Sequence, residues 1–133
     1  MPAKPFIYQS RVGFGDTDAS GRIFYISLLY HLDAAEVEFL RSRGVGYRVI
    51  QNENVGFPRV RVECDYTGAL VYDDLMDIAV TVDRIGGASF TLAFDVTVEG
   101  RQAARGKVTV ASIDRHQQRA CPLPEKLRAA LRE

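Results

Sequence analysis

Phe90-Thr91-Leu92-Ala93-Phe94-Asp95-Val96-Thr97-Val98 alternates large apolar side chains with small or polar ones along its whole length. A period of two, enriched in Val, Thr and Phe, describes a strand with one face buried and the other in water. The same phase recurs in Ile78, Val80 and Val82, set against Asp77, Thr81 and Asp83. It recurs in Val60, Val62, Cys64 and Tyr66, set against Arg59, Arg61, Glu63 and Asp65. Lys107-Val108-Thr109-Val110 supplies a last segment of this kind. The connectors are short, Gly86-Gly87 before this stretch and Glu99-Gly100-Arg101 after it. Such turns join antiparallel neighbours, because a parallel crossover needs about a dozen residues or more.

Upstream of the strands the period changes. Leu28, Leu32, Ala35 and Phe39 recur at helical spacing between Ser27 and Arg43, as do Leu29, Val37 and Leu40, and Gly44 is a suitable terminator. Ahead of the helix, Phe6 to Phe14 alternates again and is predicted to be a strand. A second helix is predicted to close the chain, with Pro124 in its first turn and Leu127 and Leu131 on one face. A one-sided antiparallel sheet and a long helix with a wide apolar stripe bury each other if the sheet wraps the helix, an α+β arrangement. The strand edges left over favour pairing with a second copy of the chain.

The chain has 133 residues, 47% apolar and 26% charged, a size suited to one domain spanning 1–133. Its 17 basic and 17 acidic side chains give zero formal charge, which argues against nucleic acid as a partner. No apolar run is long enough for a transmembrane helix, and Met1-Pro2-Ala3-Lys4-Pro5 starts no apolar leader, so an intracellular, cytoplasmic protein is expected. Cys64 and Cys121 form neither a metal spacing nor a disulfide framework. Acidic residues gather between Glu63 and Asp83 and basic ones after Arg115, as solvated faces or as a landing site for phosphate groups.

The segment Gly13-Phe14-Gly15-Asp16-Thr17-Asp18-Ala19-Ser20-Gly21-Arg22-Ile23-Phe24-Tyr25 places two carboxylates among glycines just before the helix. Three readings compete. Asp16, Asp18, Ser20 and Gly21 match the first half of an EF-hand loop, but Ser27 falls where a bidentate Glu is required and a strand stands where a helix should. Alternatively the acids and glycines only shape a turn that gains from the helix dipole. The third reading is chemical. Unpaired N–H groups at a helix start can hold a carbonyl oxygen as it becomes negative, while a nearby carboxylate attacks the carbon or activates water.

From Phe14 to Tyr25, and on through Ala34-Ala35-Glu36-Val37-Glu38-Phe39-Leu40-Arg41, the chain resembles the 4-hydroxybenzoyl-CoA thioesterase family of hotdog-fold acyl-CoA thioesterases. The resemblance continues in Phe57-Pro58, Asp65-Tyr66, Tyr72-Asp73-Asp74-Leu75, Arg84-Ile85-Gly86-Gly87-Ala88-Ser89-Phe90 and Leu123-Pro124-Glu125-Lys126-Leu127-Arg128, covering about residues 8 to 131 in the family's order. It implies a hotdog fold and hydrolysis of an acyl-CoA, without metal or redox cofactor, in a homodimer or homotetramer whose active sites lie at a subunit interface. By the same resemblance Asp18 matches the catalytic nucleophile or general base, and Tyr25 the residue whose backbone N–H polarises the thioester carbonyl. Phe24 and Ser89 match positions near the substrate, and Asp16 a structural one. Many bacterial relatives carry His in place of Tyr25 and Asn in place of Ser27, whereas the hydroxybenzoyl type carries Tyr at the first of these, which tilts the expected acyl group towards an aromatic one. Short aliphatic acyl-CoA, an acyl-carrier-protein thioester, or binding without hydrolysis are the alternatives. Arg22 stands where a small apolar residue is usual.

Asp33 interrupts an otherwise apolar stripe between Leu29 and Val37, either partly exposed at its border or as an acyl-pocket group that contacts a polar ring substituent. Arg59, Arg61, Arg84 and Arg115 are candidates for the coenzyme A phosphates, with Arg84 preferred. His31 and His116 have no Ser, Cys or metal-ligand constellation near them in sequence, and His31 is expected to be structural.

Overall fold

The computed structural model describes residues 5–133; the Met1–Lys4 start, with its expectation of no leader, lies outside the described residues. Strand β1 (Phe6–Arg11) leads through a 3-10 turn (Phe14–Asp16) into helix α1 (Tyr25–Ser42) and a short helix α2 (Tyr47–Ile50). Strands β2 (Val55–Gly56), β3 (Arg59–Tyr66), β4 (Leu75–Ile85), β5 (Ser89–Val98), β6 (Arg101–Ala111), β7 (Ile113–Asp114) and β8 (Arg119–Ala120) follow, before helix α3 (Glu125–Leu131). The five long strands form one antiparallel sheet in the order β1-β4-β5-β6-β3; β2, β7 and β8 form a small second sheet.

The alternation does its expected work in the centre of the large sheet. Met76, Ile78 and Val80 of β4, Phe90, Leu92, Phe94 and Val96 of β5, and Val108 and Val110 of β6 turn to one face and are buried. Across it lies α1, whose Leu28, Leu32, Ala35 and Phe39 are fully covered. The helix packs tightly over Gly106, where an added Cβ would stand 3.2 Å from Leu32 Cδ1 and 3.2 Å from the Glu63 carbonyl oxygen. Gly44 ends α1 at φ 74°, with its N–H donating to the Arg41 carbonyl and the next N–H, of buried Val45, donating to that of Leu40. That is the Schellman termination a glycine permits. Glu99 and Gly100, both at positive φ, make the two-residue turn from β5 to β6.

Several boundaries differ from expectation. Strand β1 stops at Arg11, because Gly13 and Asp16 close a tight turn in which each backbone N–H finds an oxygen of the other. Helix α1 starts at Tyr25, two residues before Ser27, and Pro124 caps α3 from outside its first turn. The largest departure is β3. Its face carrying Val60, Val62 and Tyr66 is 60%, 49% and 44% exposed, not half-buried. β3 is the sheet edge, and α1 meets it through Arg59 and Tyr66, leaving most of that face uncovered.

Candidate functional site

The loop before α1 is tied down at several points. The Asp16 carboxylate accepts the Gly13 N–H at 2.7 Å, and Oδ2 lies 2.9 Å from His31 Nε2. His31 Nδ1 in turn lies 2.6 Å from Ser10 Oγ. Burial pushes the Asp16 carboxyl up, but the Gly13 N–H and His31 outweigh it and hold it below the usual range. An ionised Asp16 needs a proton on Nε2, so in the neutral ring the Ser10 hydroxyl donates to Nδ1. The expectation of no Ser near His31 is corrected, since Ser10 and Asp16 flank it in a line joining β1, the loop and α1, where the ring does structural work. Backbone bonds finish the frame, from Phe24 N–H to the Asp16 carbonyl at 2.7 Å and from Asp18 N–H to that of Arg22 at 2.9 Å.

Asp18 stands outside that frame. Its Oδ1 accepts both the Ser20 N–H at 2.8 Å and the Ser20 hydroxyl at 2.5 Å, and the side chain is exposed. The Ser20 hydroxyl and N–H, with a further contribution from Arg22, hold its carboxyl below the ordinary value. Asp18 is thus an ionised carboxylate, restrained at one oxygen and free at the other. The paired acids do not act together as a cation site, since Asp16 and Asp18 serve different partners; no group of three or more metal-type ligands occurs among the described residues.

At the start of α1, Phe24 occupies the cap position in extended conformation, with no side-chain cap. Of the first-turn donors, the Ser27 N–H is taken by the Phe24 carbonyl at 2.8 Å. The Tyr25 N–H has no intrahelical acceptor, and no side chain caps the helix start by a hydrogen bond. Asp18, Ser20, Arg22, Tyr25 and Tyr66 line one hollow of about 480 Å³. Tyr66 hydrogen-bonds from its hydroxyl to the Tyr25 carbonyl, and burial, then its neighbour Cys64, push its phenol up to about 12, so it stays a donor. The Phe24 ring packs edge-on against that of Tyr25, 5.0 Å between centroids. A fixed anion and an unsatisfied N–H on one hollow suit addition to a carbonyl.

Not all expected residues converge there. Asp33 lies two helical turns beyond Tyr25, 62% exposed by side chain, so the stripe does not bury it; Glu36, three residues on, is the buried acid, 2% exposed. Ser89 starts β5 and is placed at the opposite end of the sheet from α1's N-terminus, roughly 30 Å along the strand from Val98. Arg84 sits at the same far end, beside a bulge between Val82 and Arg84. A single chain therefore does not bring Ser89 or Arg84 to Asp18. Arg59 is committed to the Glu36 carboxylate and the Phe57 carbonyl, and Arg115 to the Asn52 carbonyl. A larger hollow of about 570 Å³ on the outer face of the sheet, between Asp95, Arg105 and Lys107, contains none of the expected site residues.

Sequence reasoning missed Tyr66 as a site residue and overlooked Glu36. Glu36 falls four positions after Leu32 and three before Phe39, on the covered stripe, which was the available signal.

The family model of the thioesterase-like superfamily matches residues 12–131, and the chain belongs to that family. The resemblance to hotdog acyl-CoA thioesterases, the α+β hotdog architecture and the assignment as a thioester hydrolase are thereby borne out. The acyl-CoA thioesterase YbgC of Haemophilus influenzae is 24% identical over 94% of this chain and 93% of its own length. A 1,4-dihydroxy-2-naphthoyl-CoA hydrolase of Nostoc punctiforme is 26% identical, over 92% of this chain and 83% of that protein. Among solved structures, the gentisyl-coenzyme A thioesterase BH1999 superimposes with a TM-score of 0.85 at 29% identity, covering 95% of this chain and 99% of the other. No described helix is long and apolar enough to cross a membrane.

Proposed function

We propose that the protein hydrolyses an acyl-CoA thioester with an aromatic acyl group, of benzoyl or hydroxybenzoyl type, at the hollow between Asp18 and the Tyr25 N–H. The observation that carries this reading is the pairing on one wall of an ionised, half-free carboxylate with an uncapped helix N–H. The thioester carbonyl oxygen accepts from the Tyr25 N–H, which gains strength as charge builds on that oxygen. Asp18 either attacks the carbonyl carbon, giving an anhydride that water opens, or takes a proton from an attacking water. Both routes break the C–S bond and release free acid and coenzyme A. Tyr66 steadies the first helical turn, and Phe24 and Tyr25 offer ring surface beside the scissile group.

Two of the relatives, the 1,4-dihydroxy-2-naphthoyl-CoA hydrolase and the gentisyl-coenzyme A thioesterase, are named for hydroxylated aryl thioesters, which favours an aromatic acyl group here. Free Cys64 and Cys121 fit a cytoplasmic setting. Incubation with 4-hydroxybenzoyl-CoA tests the reading: equal amounts of 4-hydroxybenzoate and coenzyme A are expected, and a bound but intact ester contradicts it.

The working unit is proposed to be a homodimer, or a homotetramer of two dimers, built on the β3 edge. An eight-residue edge strand with Val60, Val62 and Tyr66 exposed is the kind of surface a second copy covers. Pairing edge to edge also supplies the geometry by which the far end of one sheet, with Ser89 and Arg84, approaches the hollow of another. Val62→Glu is expected to convert the dimer to monomer at micromolar concentration, because a buried unpaired charge costs several kcal/mol. Sedimentation velocity reads this, and a variant with the wild-type mass contradicts the placement.

Because Asp18's carboxyl lies below its ordinary 3.8, it remains ionised to lower pH than a free aspartate. Activity is therefore expected to stay level as the pH falls from neutrality and to be lost only below the range in which an ordinary aspartate titrates. A kcat/KM profile taken where circular dichroism reports folded protein checks this; an acid limb centred near pH 6 would contradict the assignment.

A further inference from the structure

The residues that carry Asp18 and lead into Tyr25 form a small hairpin, closed at its base where the Phe24 N–H donates to the Asp16 carbonyl at 2.7 Å. Thr17 pairs with Ile23 in an antiparallel bridge, and the Asp18 N–H donates to the Arg22 carbonyl at 2.9 Å. Gly21, at φ 84°, turns the chain between the two arms. The returning arm is held from the side: the Ile23 N–H donates to the Leu70 carbonyl at 2.8 Å, and Arg22 bridges to Val71. The outgoing arm, which bears Asp18, is tied to the helix body through one side-chain oxygen. Asp16 Oδ2 accepts both the Gly13 N–H at 2.7 Å and the His31 Nε2–H at 2.9 Å.

His31 stands six residues after Tyr25 on α1, a rise of about 9 Å. Helical side chains lean towards the N-terminus, so the ring reaches back to the hairpin base. Its side chain is 13% exposed and that of Asp16 26%, and a bond to an ionised carboxylate is stronger than one between neutral groups. On the other edge of the ring, Ser10 Oγ of β1 lies 2.6 Å from Nδ1. Rotating the ring would break both contacts at once. Neither His31 nor Ser10 lines the hollow that holds Asp18 and Tyr25. Any effect of the ring on the reaction must therefore pass through Asp16.

We propose that His31 is a positioning residue for hydrolysis: through Asp16 it fixes the Asp18 arm of the hairpin against the first turn of α1, so that Asp18 and the Tyr25 N–H stay in register on one carbonyl. This rests on the reading of those two groups as the reacting pair. They act on the carbon and the oxygen of the same bond, so a rocking hairpin spoils the alignment. A misplacement of about 1 Å costs about 100-fold in rate.

Three substitutions at this one position test it, with kcat and KM measured on 4-hydroxybenzoyl-CoA at a temperature where each variant's thermal melt shows folded protein. His31→Gln puts an amide nitrogen where Nε2 stands and keeps the bond to Asp16. His31→Asn keeps the bond to Ser10 and loses Asp16, and His31→Met loses both. Gln and Asn each retain one hydrogen bond, so a strut that served stability alone would cost them about equally. His31→Gln is expected to hold kcat within about 3-fold of wild type, while His31→Asn and His31→Met lower it ~30- to 100-fold. KM is expected to stay within about 3-fold in all three, because the ring lies outside the hollow. If one of the two losing variants does not fold, the other is compared with His31→Gln. Should His31→Gln not fold, Asp16→Asn takes its place with the same expectation, since its amide oxygen can accept from both Gly13 and Nε2. Equal kcat in the retaining and losing variants, or a loss in KM instead of kcat, overturns the proposal while wild type remains active. Wild type that hydrolyses no ester is a separate failure, which removes the thioesterase reading and this proposal with it.

Discussion

Replacing Asp18 by Asn is expected to lower kcat at least ~100-fold on the best substrate, with the fold intact. Asn keeps an oxygen where Oδ1 now accepts the Ser20 N–H and hydroxyl, so the loop retains its shape. What is lost is the charge, and with it either the attacking oxygen or the base that takes a proton from water. KM is expected to move little, because the proposed mechanism assigns Asp18 to the reacting centre and not to the hold on coenzyme A. Steady-state thiol release, with a thermal melt as the fold control, measures this. An Asn variant with near wild-type turnover would remove Asp18 from the mechanism.

The second large effect concerns a backbone atom. Tyr25→Pro deletes the N–H assigned to the thioester oxygen, and few other helix positions tolerate that change so well. Tyr25 is the first helical residue, where proline is favoured and its missing N–H breaks no intrahelical bond. Phe24 before it lies at φ −65° and ψ 130°, the extended conformation a residue preceding proline adopts. The helix should therefore form as before, while loss of one oxyanion donor lowers kcat by ~100- to 1,000-fold. Tyr25→Ala keeps the N–H and removes the ring, and is expected to retain most of kcat. Equal losses in the two variants would mean that the ring, not the N–H, carries the effect.

Much of this arrangement was legible in residue order. The alternation in Phe90–Val98 placed the sheet face correctly, and Leu28, Leu32, Ala35 and Phe39 placed the helix upon it, because burial is what those periods encode. Elements of two to four residues, such as β2, β7, β8 and α2, are too short to show a period. In β3 the alternation was present but said nothing about which strand would be the edge, since that depends on sheet order and on where α1 lies. Of the candidate site, the shared hollow of Asp18 and Tyr25 was legible because they are neighbours in sequence on one loop and helix start. Tyr66 was not, since it reaches Tyr25 from a strand 41 residues away. The partners of His31, expected only to be structural, were hidden for the same reason, since Ser10 and Asp16 are 21 and 15 residues distant. Asp33 and Glu36 differ by one helical turn, yet only Glu36 points under the sheet, and both fit an apolar stripe drawn on sequence alone.

The most direct test of the central claim is free-thiol release by the wild-type protein from a panel of CoA esters: benzoyl, hydroxybenzoyl, phenylacetyl and aliphatic chains of increasing length. Hydrolysis of an aromatic acyl-CoA at the Asp18 hollow predicts release from the aryl esters, fastest with hydroxybenzoyl. Binding of these esters without release of thiol from any of them would contradict it.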